Sequence, residues 1–155
     1  MAYSPTKHLL ITLFLLISQI SFCQDDIKID AFKTFNFRCY GQSDSIMLPD
    51  DCVGPRYYNY EEGCIISFNS PDSARVDILC GGDAVLTINK AYVVVDSILD
   101  NGKIVSSSYY DKITNKYARK DYILNSTIIY ENVSEEKKYE YNMLFNMFTE
   151  DRKKN

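Results

Sequence analysis

The side chains that could do chemistry in this chain are carboxylates, cysteines and tyrosines, because imidazole is almost missing. The 155 residues hold one histidine, His8, and no tryptophan. His8 lies in a segment that reads as a removable leader, so the mature chain is expected to have none. A Ser-His-Asp or Cys-His relay then cannot be assembled, and histidine-ligated zinc is excluded.

Carboxylate pairs remain, and Asp50-Asp51 and Glu61-Glu62 are the two weighed for chemistry. Carboxylates facing each other across a bond hydrolyse glycosides, and clustered ones bind calcium. Adjacent acids in loops are ordinarily solvated charge, and nothing in the local sequence would shift their pKa. No catalytic residue, metal ligand or cofactor is therefore assigned, and a small carboxylate-dependent hydrolase stands as the alternative reading. Asp100-Asn101-Gly102 lacks the rest of an EF-hand, and Gly81-Gly82 lacks the rest of a phosphate loop.

Five cysteines are present, and four lie beyond the leader: Cys39, Cys52, Cys64 and Cys80. No Cys-x-x-Cys occurs, and the gaps are unlike zinc-finger spacing. An even count in an exported chain predicts two structural disulfides, with all three pairings open. All four fall in the first half of the mature chain, which is rich in Gly, Pro, Asp and Ser. The bridges are expected to pin loops there.

Arg56, Tyr57, Tyr58, Tyr60 and Glu61 form a crowded aromatic and charged run. Tyr and Arg are enriched where binding energy concentrates, and this run is the candidate binding site. Tyr92, Tyr109 and Tyr130 read instead as half-buried strand residues.

The elements that position these groups follow from pattern. Lys7 and His8 precede a 12-residue apolar run, Leu9 to Ile20, that ends at Ser21-Phe22-Cys23 before Gln24-Asp25-Asp26. That is the layout of a secretory signal over 1–23, too short for a bilayer span of about 20 residues. No later segment is apolar enough to be one. Its removal leaves one domain, 24–155, and takes away Lys7, so the net charge moves from −4 to −5. A net acidic domain whose basic cluster is confined to Arg152-Lys153-Lys154 argues against nucleic acid as a partner.

Ile27 and Ile29 alternate with polar residues ahead of Phe32, Phe35 and Phe37, which suggests an N-terminal strand. Gly41, Pro49, Gly54-Pro55 and Gly63 predict a long loop over 41–63. Strand-like runs follow at 64–68, 74–80, 84–89, 92–99, 104–110, 117–124 and 126–133. Asp100-Asn101-Gly102-Lys103 is a type I′ hairpin signal. Ser134 caps, Glu135 and Glu136 favour a helix N-terminus, and Tyr141, Leu144, Phe145 and Phe148 share one helical face. The expectation is a mainly β (α+β) fold: an antiparallel sheet of about five to seven strands with one C-terminal helix, about 135–149, packed on it.

Two resemblances concern processing. Ile20-Ser21-Phe22-Cys23 partly resembles a bacterial lipobox, which implies lipidation at Cys23 as the alternative to cleavage. Asp44-Ser45-Ile46, Asp72-Ser73-Ala74 and Asp96-Ser97-Ile98 resemble the Asp-Ser-aliphatic O-glycosylation motif of Bacteroidota. Asn125-Ser126-Thr127 and Asn132-Val133-Ser134 are N-glycosylation sequons, meaningful only in a eukaryote. The expectation is therefore a non-catalytic, exported protein of the periplasm or cell surface that binds another protein, a toxin or enzyme being the general type. It would touch a membrane only through a lipid on Cys23. In general character this resembles an immunity or inhibitor protein; a structural surface component is a further alternative.

Overall fold

Alternation of apolar and polar residues sets the first two strands. β1 (Phe32–Cys39) buries Phe35 and Phe37, and β2 (Gln42–Pro49) buries Ile46 and Leu48. They pair antiparallel, Phe35 opposite Ile46, around Gly41 at φ +80°. The structure is a computed structural model describing residues 32–39, 41–61, 63–81, 86–123 and 126–153, within the compact unit Ala31–Asn155. The leader, Ile27 and Ile29 lie outside the described residues.

Seven further strands form a second sheet. β3 (Val53–Tyr60), β4 (Gly63–Asn69) and β5 (Arg75–Cys80) make one meander. β6 (Val93–Asp100), β7 (Lys103–Asp111), β8 (Lys116–Ile123) and β9 (Ser126–Val133) make another. The order is β3-β4-β5-β9-β8-β7-β6, with every neighbouring pair antiparallel, so the meanders meet only at β5–β9. Asn101 and Gly102 have φ of 49° and 76°, as the hairpin signal requires.

Two expectations need correction. Residues 41–63 are not a loop: they hold β2 and β3, with turns between. Gly54-Pro55 punctuates an edge strand, where a missing ladder donor is tolerated, and the register shifts there between Val53 and Arg56. A Cβ on Gly54 would stand 2.7 Å from the Phe68 ring and 2.9 Å from the Ser67 carbonyl, so close backbone approach explains the glycine. The strand expected at 84–89 is also absent over the described residues 86–89, which are irregular. They belong to the crossover from β5 to the far edge of the sheet, and they spend their hydrogen bonds on β8 and β9. Leu86 O accepts from Lys120 Nζ at 2.6 Å, and Asn89 N donates to Glu131 Oε1 at 3.0 Å.

The last element, α1 (Glu135–Lys153), starts where expected and runs past 149. Tyr141, Leu144, Phe145 and Phe148 are its buried stripe. It packs against β2, β8 and β9. One core results: Phe35, Phe37, Ile46 and Leu48 of the hairpin and the helix stripe close over Ile66, Phe68, Val76, Ile78, Ile128 and Tyr130. Phe35 meets Phe68 edge-on at 5.2 Å, and Tyr130 meets Phe145 at 4.9 Å.

Cys39 and Cys80 are bridged, with Cα atoms 5.5 Å apart, so the hairpin is tied to a central strand. Cys52 and Cys64 carry free thiols. The expected two bridges are thus one: Cys52 is buried beside the Tyr141 hydroxyl, 4.0 Å away, while Cys64 is on β4.

Truncation of Phe145 to alanine should lower unfolding stability by about 3–5 kcal/mol, the usual cost of emptying a buried aromatic site. Urea titration followed by circular dichroism measures it, with the slope unchanged.

Candidate functional site

β3 ends one side of the seven-stranded sheet, and its residues from Arg56 to Tyr60 are all exposed. Tyr57, Tyr58 and Tyr60 keep 47%, 48% and 56% of their surface in solvent, far more than packing requires. The candidate binding residues therefore lie on an open edge strand.

Strand alternation divides them. Arg56, Tyr58 and Tyr60 stand opposite Ser67, Ile65 and Gly63, on the face turned away from the core. Tyr57 and Asn59 stand opposite Ile66 and Cys64, on the core face. There the Tyr57 hydroxyl accepts a hydrogen bond from the Arg38 amide at 3.3 Å, which links β3 to the hairpin. An open groove of about 630 Å³ lies at this junction, lined by Arg38, Tyr57, Asn59, Tyr60, Glu61 and Cys64. Glu61 joins at its rim, in the turn after β3. One cation, one anion and two phenols around a half-buried floor suit a polar-aromatic contact with a peptide surface.

The carboxylates weighed as a catalytic pair are not brought together. Asp51 and Glu61 flank β3 at opposite ends, separated by an eight-residue strand, about 27 Å at the usual rise. Glycoside hydrolysis needs carboxyls within about 10 Å. Glu62 lies outside the described residues. Asp51 instead joins an ion cluster at the start of α1: Lys137 Nζ lies 2.9 Å from Asp72 and 3.7 Å from Asp51, and Ser70 Oγ donates to Asp51 at 3.4 Å. Burial works against ionising Asp72, but the Lys137 ammonium and the Ala74 amide outweigh it and hold the carboxyl below its ordinary range. Glu140 is displaced upward, by burial first. The cluster ties the helix start to the β4–β5 turn through Asp72 and to the β2–β3 turn through Asp51. Among the described residues, no group of three or more His, Cys, Asp or Glu is arranged to hold a metal ion.

A second exposed edge was missed by sequence reasoning. β6 closes the other side of the sheet, and Val93, Val94, Val95, Ile98 and Leu99 are each at least half exposed. An unbroken Val-Val-Val run ordinarily marks a strand buried on both faces, and nothing local says otherwise. The exposure arises because the helix and hairpin cover the other part of the sheet. Tyr92, expected as a packing residue, donates its hydroxyl to Asn132 Oδ1 at 3.0 Å and is half-buried. Tyr130, expected to be half-buried, is instead fully buried, and its hydroxyl donates to Asn142 Oδ1 at 2.8 Å. Of the Asp-Ser-aliphatic triplets, Ser45 and Ser73 are exposed, while Ser97 lies within β6, its hydroxyl 3.1 Å from that of Ser107.

The chain matches no protein-family model, no curated protein and no solved structure.

Burial, opposed by the Tyr141 hydroxyl contact, pushes the Cys52 thiol up to about 11, and burial also raises Cys64, to a lesser extent. At pH 7 a brief maleimide pulse should therefore label Cys64 of the native chain ahead of Cys52. Cys52 should react only after denaturant is added; peptide mass spectrometry distinguishes the two.

Proposed function

We propose that this protein is an exported, non-catalytic binding protein of the cell envelope that captures another protein through its β3 edge. The observation that carries the reading is an open edge strand bearing three half-exposed tyrosines and an arginine above a polar-aromatic groove. Exposed edges are where extended segments add as a further strand, the backbone giving affinity and alternate side chains giving specificity. The two-faced placement of Arg56, Tyr57, Tyr58 and Tyr60 is what such a segment would read from both sides. Export is supported by the leader-like segment and by a disulfide, a bond that persists in oxidising compartments. No helix of the described residues is long and apolar enough to cross a membrane. An acidic, bridged domain of this size that works by contact has the general character of an immunity or inhibitor protein.

A second reading, self-association as a surface component, is favoured by β6. Its sequence pairs with itself: antiparallel, Val94 would face Leu99, Val95 would face Ile98 and Asp96 would face Ser97, so no two carboxylates meet. It stands second because a register shift between Val94 and Asp96 interrupts the ladder, a feature that guards edges against pairing.

Replacing both Tyr57 and Tyr60 by alanine should weaken capture of the envelope partner at least about 30-fold, the effect of losing one or more contacts worth about 2 kcal/mol. The circular dichroism and melting transition should stay as they are. Undiminished capture would remove β3 from consideration. Sedimentation velocity addresses the second reading: wild type should sediment as a monomer, whereas a dimer abolished by Leu99→Lys would give precedence to β6.

A further inference from the structure

Three of the four cysteines of the described chain share one small region on the core face of the sheet. Cys80 ends β5 and is bridged to Cys39 of β1. On its other side Cys80 is the direct antiparallel partner of Cys64 in β4. Directly opposed residues project to the same face of a sheet, and their Cα atoms lie about 4.5–5.5 Å apart. That separation falls inside the range of about 4.4–6.8 Å that a disulfide spans. Cys39 and Cys64 thus flank the same sulfur, one bonded to it and one free. Cys64 is partly exposed and lines the groove beside Arg38, whereas Cys52 is buried away from this group against Tyr141.

We infer that Cys39 and Cys64 compete for Cys80, and that the bridge exchanges between a hairpin-pinning form, Cys39–Cys80, and a sheet-only form, Cys64–Cys80. The step is an internal thiol–disulfide exchange. The Cys64 thiol gives its proton to solvent, and the thiolate attacks Cys80 Sγ. The Cys64–Cys80 bond forms as the Cys39–Cys80 bond breaks, and Cys39 leaves as a thiolate that takes a proton from solvent. One disulfide and one thiol stand on each side, so no oxidant or reductant is consumed. In the second form no disulfide ties β1 to the sheet, and the hairpin is held by its buried Phe35, Phe37, Ile46 and Leu48 and by the hydrogen bond from the Arg38 amide to the Tyr57 hydroxyl. Because burial raises the Cys64 thiol, the thiolate fraction is small at neutral pH and the exchange quickens as pH rises.

The test is disulfide mapping of the purified protein. Native samples at pH 7 and pH 8.5 are alkylated with N-ethylmaleimide, quenched in acid and digested with pepsin, which keeps the bridges from shuffling afterwards. The expected result is two bridged peptides, Cys39–Cys80 and Cys64–Cys80, with alkylated Cys39 accumulating faster at pH 8.5. Finding Cys39–Cys80 alone at both pH values overturns the inference. So does exchange that also draws in Cys52, since that marks unfolding rather than proximity. A Cys39→Ser variant gives an independent measure. Held in a glutathione redox buffer, it should form Cys64–Cys80, and persistence of two free thiols there overturns the inference equally.

Discussion

Tyr130 stands in β9, at the middle of the seven-stranded sheet, with its ring edge-on to Tyr141 at 5.6 Å and to Phe145 at 4.9 Å. A buried phenol must satisfy its hydroxyl, and this one donates to Asn142 Oδ1 at 2.8 Å. Asn142 also accepts from Arg119 Nη1, at 3.4 Å through both its side chain and its carbonyl. The aromatic contact supplies the apolar burial, and the amide sets which turn of the helix faces which strand. From that placement the remainder of the architecture follows. A helix seated over β8 and β9 cannot also cover β3, β4 and β5, so the β1–β2 hairpin closes the other half of the same face.

Where that cover ends, the sheet turns polar. Arg119 and Asp121 lie on the core face of β8 and are buried, with Arg119 Nε donating to Asp121 Oδ1 at 2.8 Å and Ser106 Oγ donating to the same oxygen at 2.6 Å. Oδ2 accepts no hydrogen bond; it is compensated by charge contact with Arg119 Nη2 at 2.8 Å. Isolated, either charge would be costly here; together they mark the boundary between a dry half and the β6–β7 half that the helix leaves open. The two faces differ as well. Leu79 and Ile129 are buried on the second face, where Arg75 bridges Asp77 and Glu131 at 2.9 and 3.0 Å. The exposed apolar surface of β6 is a consequence of this uneven covering.

Local signals carried most of the element list. The Asn101-Gly102 turn, the stripe from Tyr141 to Phe148 and the strand-like runs of β5 and β9 are decided by neighbours in sequence, and each is where the residues placed it. The loop expected over 41–63 failed for a physical reason: Gly54 and Pro55 are strand residues at an edge, a condition set by tertiary position rather than composition. Cys52 and Cys64 were equally opaque. Parity of the cysteine count says nothing about which sulfur faces which, and that depends on the β4–β5 register. The Tyr57–Tyr60 run was visible as an exposed aromatic cluster, but its division between two faces required knowing it as a strand. The apolar edge at β6 was invisible, because a hydrophobic run looks the same whether or not another layer covers it.

The two meanders are each stitched from near neighbours, and only the β5–β9 ladder joins residues as distant as Arg75 and Glu131. Long loops make such pairing slow in the kinetic sense, since closure entropy comes due before contacts reward it. The zipping of this seam, with the late-arriving carboxy-terminal helix to clamp it, would then be the last event of folding. Until it closes, the chain is two half-sheets, each with a raw hydrophobic side.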